Sequence, residues 1–285
     1  MSNFFVSIVL PTYNRKSTLA RAIKSILQQT HSSWELLIID DGSTDNSMEL
    51  LDSIEDSRVH WLTLPSNKGV STARNKGIEQ SKYDWIALID SDDEWLPNKL
   101  EEQINFIERH PSYQFVHCDE IWIRRGQRVN PHKKHAKHGG RIYEHCLPLC
   151  CVSPSASLIH KKLFLEEGFF KEDYPVCEDY DLWLRFFSKY EAGYLNKLLL
   201  KKYGGHSDQL SNKYFAMDYW RVKALHENLE LNKEFLTLSE YNLTVIEILK
   251  KTKILLKGFE KHQNFSNYKE IKYLYNFYLQ LTVAT

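Results

Sequence analysis

Four times in the first 110 residues, a short run of β-type residues gives way to a stretch with helical spacing. FFVSIVL (4–10) precedes LARAIKSILQQ (19–29), and WELLIID (34–40) precedes a helical segment from Ser47 to Ile54. RVHWLTL (58–64) precedes STARNKGIEQS (71–81). WIALID (85–90) precedes LPNKLEEQINFIERH (96–110), whose proline stands near the helix start. This alternation constrains the chain strongly, because parallel neighbours need a crossover and the crossover helices must cover the sheet faces. The fold class expected is α/β, a mainly parallel mixed sheet flanked by helices.

In such sheets ligands bind in the crevice at the carboxyl ends of the strands. Three of those ends carry unusual residues: PTYNR (11–15), DDGSTD (40–45) and DSDD (90–93). Topology therefore brings a proline–tyrosine turn, an aspartate pair and an acid cluster towards one crevice.

Each has an ordinary explanation to set beside a chemical one. An aspartate before a helix is a common N-cap. Capping needs only one carboxylate, however, and Asp90 and Asp92 alternate around Ser91. Magnesium and manganese take oxygen ligands and bridge phosphates, so the metal reading leads. DDGSTD is rich in turn residues, yet its aspartates would also accept from a pyrimidine ring NH. Tyr13 either stacks on such a base or is an ordinary core aromatic, and taken alone the core reading is favoured. Arg74, one turn into a helix after Gly69, either binds a phosphate or pairs with an aspartate in the crevice. In EDYDLWLR (178–185), Asp181 reads as a cap ion-paired with Arg185, and the role of Asp179 depends on what lies opposite.

Beyond Pro111 the pattern loosens. Residues 112–124 read as extended, 155–160 as a strand, 178–190 as an amphipathic helix, and 194–211 as strand, glycine turn and loop. The chain from about Lys213 onward reads as helical. The tract 124–145 holds seven Lys/Arg, four His and one acid. It reads as a solvated flexible loop rather than a metal site, poised to fold over a diphosphate or an anionic acceptor. TVIEILKKTKILLKGF (244–259) is a basic amphipathic segment, expected to pack on its own domain or a second subunit, with a membrane surface the lesser reading.

Lysine plus arginine equals aspartate plus glutamate at 37 each, so no global field favours nucleic acid. The apolar run near the amino terminus stops at Pro11, too short for a membrane helix or a secretory signal. Five cysteines with no C-x-x-C pair are expected to be reduced, cytosolic thiols.

Taken together, SIVLPTYNR, LLIIDDGSTD, NKGVSTARNKGI, WIALIDSDDEWLP, SPSASLIHKK, CEDYDLWLR and YGGHSDQLS resemble the family 2 glycosyltransferases, which have the GT-A fold. The resemblance covers about residues 5–211 and implies a glycosyltransferase domain over 1–211, with a nucleotide-binding half (1–110) and an acceptor half (111–211). A helical extension spans 212–285. The resemblance implies that Pro11, Thr12 and Tyr13 line the nucleotide site and that Asp41 accepts from a uracil ring. It also implies that Asp92 is the metal ligand, with Asp90 near the ribose or metal, and that Asp179 is the general base. His206 matches a late histidine near metal and diphosphate, although Gly204–Gly205 replace a frequent basic residue before it.

The implied cofactor is Mn2+ or Mg2+, and the implied partners are a nucleotide-sugar donor and a saccharide or lipid-linked saccharide acceptor. The resemblance implies an inverting enzyme and, at the family level, bacterial surface polysaccharide assembly, and the absence of the processive Q-x-x-R-W element points to a single sugar added per encounter. Its expected place is cytoplasmic, with peripheral contact at the inner membrane face or a homodimer through the C-terminal helices left open. The rivals are a degenerate nucleotide-binding scaffold, against which intact Asp92 and Asp179 argue, and a nucleotidyltransferase, for which no glycine-rich triphosphate loop is present. A haloacid-dehalogenase-type phosphotransferase would carry its Asp-x-Asp on the first strand, and a nicotinamide enzyme would want glycines where PTYNRKS has none.

Overall fold

The computed structural model of the chain describes residues 4–205, 217–263 and 265–283. Strands β1 (Val6–Thr12), β2 (Trp34–Asp40), β3 (Val59–Thr63) and β4 (Trp85–Leu88) are parallel and lie in the order β3-β2-β1-β4. Every residue of β1 and β2 is buried, as expected for strands covered on both faces. Side chains alternate across the sheet. Val6, Ile8 and Leu10 pack with Leu19, Ile23 and Ile26 of α1 (Lys16–Leu27), while Val9 packs with Ala73 and Ile78 of α2 (Val70–Gln80). Gly77 lets α2 lie close to the sheet, because a Cβ there would come 2.4 Å from Val9 Cγ1.

The sequence predicts a helix over 47–54, and the chain forms a 3₁₀ stretch, Ser47–Ser53. The stretch lies within the 18-residue connection from β2 to β3, and its tighter winding is a departure from the expected helix.

Past β4 the sheet turns antiparallel. β4 pairs with β8 (Ser157–His160), which pairs with β6 (Phe115–Arg124). β6 runs parallel to β9 (Gly193–Gly204), with irregular register around Asp119. β9 also carries the two-residue β5 (Glu94–Trp95), and β7 (Gln127–Val129) folds back on β6. The acid cluster after β4 thus leads into a strand pinned at the far side of the sheet.

Helices α3 (Lys99–Arg109), α4 (Tyr143–Cys146), α5 (Lys161–Glu167) and α6 (Glu178–Phe187) complete the layers. The tail forms α7 (Met217–Asn232), α8 (Leu238–His262) and α9 (Tyr268–Val283). Its Val222, Leu225, Val245, Ile248 and Phe259 share one apolar core with Trp183 and Phe186 of α6 and Ile159 of the sheet. The basic segment 244–259 therefore packs its apolar face on its own chain. A capping box starts α8, with Thr237 Oγ1 accepting from Glu240 N and Glu240 Oε2 accepting from Thr237 N.

Two expectations need correction. Cys146 and Cys151 are joined in a disulfide, because α4 and the turn after it bring their Cα atoms within 5.1 Å, whereas Cys118, Cys150 and Cys177 are free. The basic tract is also not a solvated loop throughout. His138 stacks on His145 at 3.7 Å, Lys137 pairs with Glu120, and Arg141 is gripped by Glu240 of α8. Its cations find carboxylates from distant elements, which local spacing does not reveal. The stretches 125–128 and 130–134 are continuously exposed.

Candidate active site

The carboxyl ends of β1, β2 and β4 open on one cavity of about 850 Å³. Pro11, Thr12 and Tyr13 line it from β1 and Asp41 from just past β2. Tyr13 is 43% exposed, so the core-aromatic reading fails and its ring stands in the crevice. Asp41 is buried, and its two carboxylate oxygens accept from the backbone N–H groups of Lys68 and Gly69, each at 2.8 Å. Burial raises its pKa, and those two hydrogen bonds oppose the rise. A carboxylate has about four acceptor positions, so Asp41 keeps capacity for a donor in the cavity. Gly42, at φ +76°, makes the turn beside it.

Asp90, Asp92 and Arg74 line the same cavity. The Arg74 guanidinium is buried and spans two acids, with Nη2 donating to Asp90 Oδ1 at 2.8 Å and Nη1 to Glu178 Oε1 at 2.7 Å. Those carboxylates outweigh burial and hold Arg74 firmly charged. Of the two roles open in the sequence, ion pairing is therefore the one made in this structure. The third acid, Asp93, has a structural place: it is buried, accepts from Ser155 Oγ at 2.6 Å and receives Tyr203 N at 3.0 Å. Burial, then the charges of Asp92 and Asp90, push its pKa well above the usual carboxylate range.

The other wall is the start of α6. Asp179 lines the cavity; its Oδ1 accepts from Tyr180 N at 2.7 Å and its Oδ2 from the Cys150 thiol at 3.2 Å. Burial and the Asp179 charge push the Cys150 thiol upward, so it stays protonated and donates. Glu178 sits beside Asp179, and burial followed by the Asp179 charge raises its pKa to about 7 against the pull of Arg74. Asp181 faces away, held by Arg185 at 2.8 Å and Lys171 at 2.7 Å, which is the structural ion pair read from the sequence.

A second cavity of about 300 Å³ adjoins the first, and Asp179 and Lys202 line both. Its other walls include Trp122, Lys137, Cys150 and Arg221. Sequence reasoning missed Glu178, Cys150 and Lys202. Glu178 was within reach as the neighbour of Asp179, whereas Cys150 and Lys202 had no local signal. His206 lies outside the described residues. Asp90 and Asp92 offer hard oxygen ligands of the kind Mn2+ and Mg2+ take. Among the described residues no group of three His, Cys, Asp or Glu side chains converges.

Residues 7–166 match the family described as Glycosyl transferase family 2. The chain is 33% identical over 190 residues to the UDP-Glc:alpha-D-GlcNAc-diphosphoundecaprenol beta-1,3-glucosyltransferase WfgD of Escherichia coli, covering 65% of this chain and 70% of that protein. It is 30% identical over 213 residues to WfaP of E. coli, which carries the same activity name, covering 74% and 81%. The match to the putative teichuronic acid biosynthesis glycosyltransferase TuaG of Bacillus subtilis is 39% over 114 residues, 39% of this chain and 45% of that one. Among solved structures, S. aureus TarS 1-349 in complex with UDP-GlcNAc superposes with a TM-score of 0.66 at 16% identity, over 96% of this chain and 91% of that one. A mannosyltransferase from Pyrobaculum calidifontis in complex with GDP-Man and Mn2+ superposes at 0.60 with 13% identity, over 98% and 86%. The shared architecture is that of the GT-A glycosyltransferases.

Proposed function

The chain belongs to glycosyl transferase family 2, and from that premise we propose that it moves one sugar from a nucleoside-diphosphate sugar, a UDP-sugar, to an acceptor hydroxyl with inversion. The observation that carries the reading is the meeting of Tyr13, Asp41, Asp92 and Asp179 around one cavity, although they come from four separate elements. The base stacks on Tyr13, and Asp41 accepts the uracil ring NH with its remaining lone pairs. Pro11 and Thr12 line the same end. Asp92, with Asp90 beside it, would hold Mn2+ or Mg2+, which when bound supplies positive charge against the departing diphosphate. Arg74 bridges Asp90 and Glu178 and fixes the two carboxyl groups relative to each other. His206 is proposed near the diphosphate on the resemblance alone.

Asp179 acts as the general base. As the acceptor oxygen forms its bond to the anomeric carbon, its proton passes to the Asp179 carboxylate and the carbon–oxygen bond to the diphosphate breaks, its electron pair leaving with the diphosphate. Attack from the face opposite the leaving group inverts the centre. Positioning by two hydrogen bonds keeps the carboxylate aimed, and general-base catalysis of this kind contributes on the order of 10²–10⁴-fold.

The acceptor is a saccharide or lipid-linked saccharide of bacterial surface polysaccharide assembly, a proposal supported by the activity for which the E. coli relatives are named. A lipid-linked acceptor would bring the protein to the inner membrane face, and the exposed Ile246, Lys250 and Ile254 of α8 suit an anionic surface. No helix among the described residues is long and apolar enough to cross a membrane. Cosedimentation with anionic vesicles that fails at low salt would rule the surface contact out.

The test of the main reading is a screen of UDP- and GDP-sugars by thermal shift and nucleotide release with Mn2+, repeated on Asp92→Ala. A stabilising UDP-sugar whose effect is lost in Asp92→Ala is expected. Stabilisation by no nucleotide sugar would end the proposal.

A further inference from the structure

Lys202 has no part in the reading above, yet it borders both cavities. β9 is clamped to the acid turn on either side of it. Lys201 stands opposite Glu94 in the strand register and its Nζ reaches Glu94 Oε1 at 2.7 Å. Tyr203 donates its N–H to Asp93 Oδ1 at 3.0 Å and its hydroxyl to Glu94 Oε2 at 2.7 Å. Side chains alternate along a strand, so Lys201 and Tyr203 share one side and Lys202 takes the other, where the cavities lie.

A buried ammonium survives only in a compensating field. Burial disfavours the charge of Lys202, but Glu120, Asp93 and Asp90 outweigh it and hold the lysine above its ordinary pKa. Each of those acids is already engaged elsewhere. Glu120 pairs with Lys137 at 3.3 Å and accepts from Trp122 Nε1. Asp90 is bound by Arg74, and Asp93 by Ser155 and Tyr203. The charge of Lys202 is thus maintained by a surrounding field rather than by one dedicated partner, at the junction shared with Asp179.

We propose that Lys202 receives the distal phosphate of the donor's diphosphate, the group that carries the departing charge. The proposal rests on the nucleoside-diphosphate reading and deepens it. Asp41 follows β2, Tyr13 follows β1 and Asp90–Asp92 follow β4, so these groups succeed one another across the sheet. A donor laid along that line presents its base at Tyr13 and its diphosphate towards Lys202 and Asp179. A fixed ammonium there makes part of the diphosphate affinity independent of any divalent ion. The competing role is plain neutralisation of Glu120 and Asp93, which would affect every ligand equally.

Calorimetric titration of the full chain with UDP and with UMP, in EDTA, separates the two. The native protein should prefer UDP, and Lys202→Met should weaken UDP by about tenfold or more while leaving UMP unchanged, as expected for loss of one charge-assisted hydrogen bond. Lys202→Gln, which keeps a donor and similar length, is the second variant should the methionine fold poorly, with the same shift in the UDP-to-UMP ratio expected. Equal weakening of both nucleotides, an unchanged ratio, or a native protein with no preference in EDTA would overturn the proposal. A native protein that binds neither nucleotide, with or without Mn2+, would overturn the donor reading itself and the proposal with it.

Discussion

Along β1, β2 and β4 the site residues follow the strand ends, whereas past Pro111 they come from the loop before β8, a helix start and the last residues of β9. In the first region, place in sequence and place in the site are nearly the same thing. Parallel strands with crossover helices leave the carboxyl ends facing one crevice, and Tyr13, Asp41 and Asp92 gather there because each ends a strand. In the second region, Asp179, Cys150 and Lys202 meet only because α6, the loop before β8 and β9 are packed together by long-range contacts. The first region's chemistry is fixed by topology, and the second's by packing.

That difference makes the second region the one to break by destabilisation. The largest stability effect is expected at Asp181, whose removal leaves Arg185 and Lys171 without their buried carboxylate. Asp181→Ala should cost about 3–5 kcal/mol in a denaturant titration. A loss equal to that of a surface substitution would show that α6 is held by its apolar face alone.

Arg141 is next. It ties Ser188 O and Phe235 O to Glu240, joining the end of α6 to the start of α8. Arg141→Ala should cost about 2 kcal/mol, and hydrogen exchange should rise in α7–α9 while β1 and β2 stay protected. Uniform acceleration across both regions would show that they unfold as one unit with no separable tail.

The smallest effect is a pH slope at Glu178. Its pKa is raised from 4.5 to about 7 in the folded chain by burial and by Asp179, so folding favours the protonated form. The stability this adds is fully present below about pH 4.5 and is lost as pH rises through about 7. Glu178→Gln carries no charge at any pH, so the difference in Tm between variant and native protein should grow across that window and level off above it. A difference that stays constant with pH would show that Arg74 keeps Glu178 ionised throughout.

Much of the first region could be read from the residues, since its strands are continuous apolar runs and its turns are polar. Even there, the expected helix over 47–54 is a 3₁₀ stretch, Ser47–Ser53, a distinction that apolar spacing over two turns does not make. In the second region, β6 and α6 were visible as patterns, but β5 was not, because two residues show no period. Lys202, between Lys201 and Tyr203, carries no local signal in the sequence, and only the register of β9 against β5 turns it inward. The basic tract misled for a similar reason: its anchors, Glu120 and Glu240, lie far off in sequence.

The central claim is that the two regions divide the labour, the strand ends binding the donor and α6 supplying the base. Paired measurement of UDP affinity and transfer rate on Asp41→Asn and Asp179→Asn tests this most directly. The account predicts that Asp41→Asn weakens UDP binding, while Asp179→Asn keeps UDP affinity within about threefold and lowers the transfer rate by about 100-fold or more. An Asp179→Asn protein that turns over at the native rate, or that loses nucleotide affinity as much as Asp41→Asn does, would contradict it.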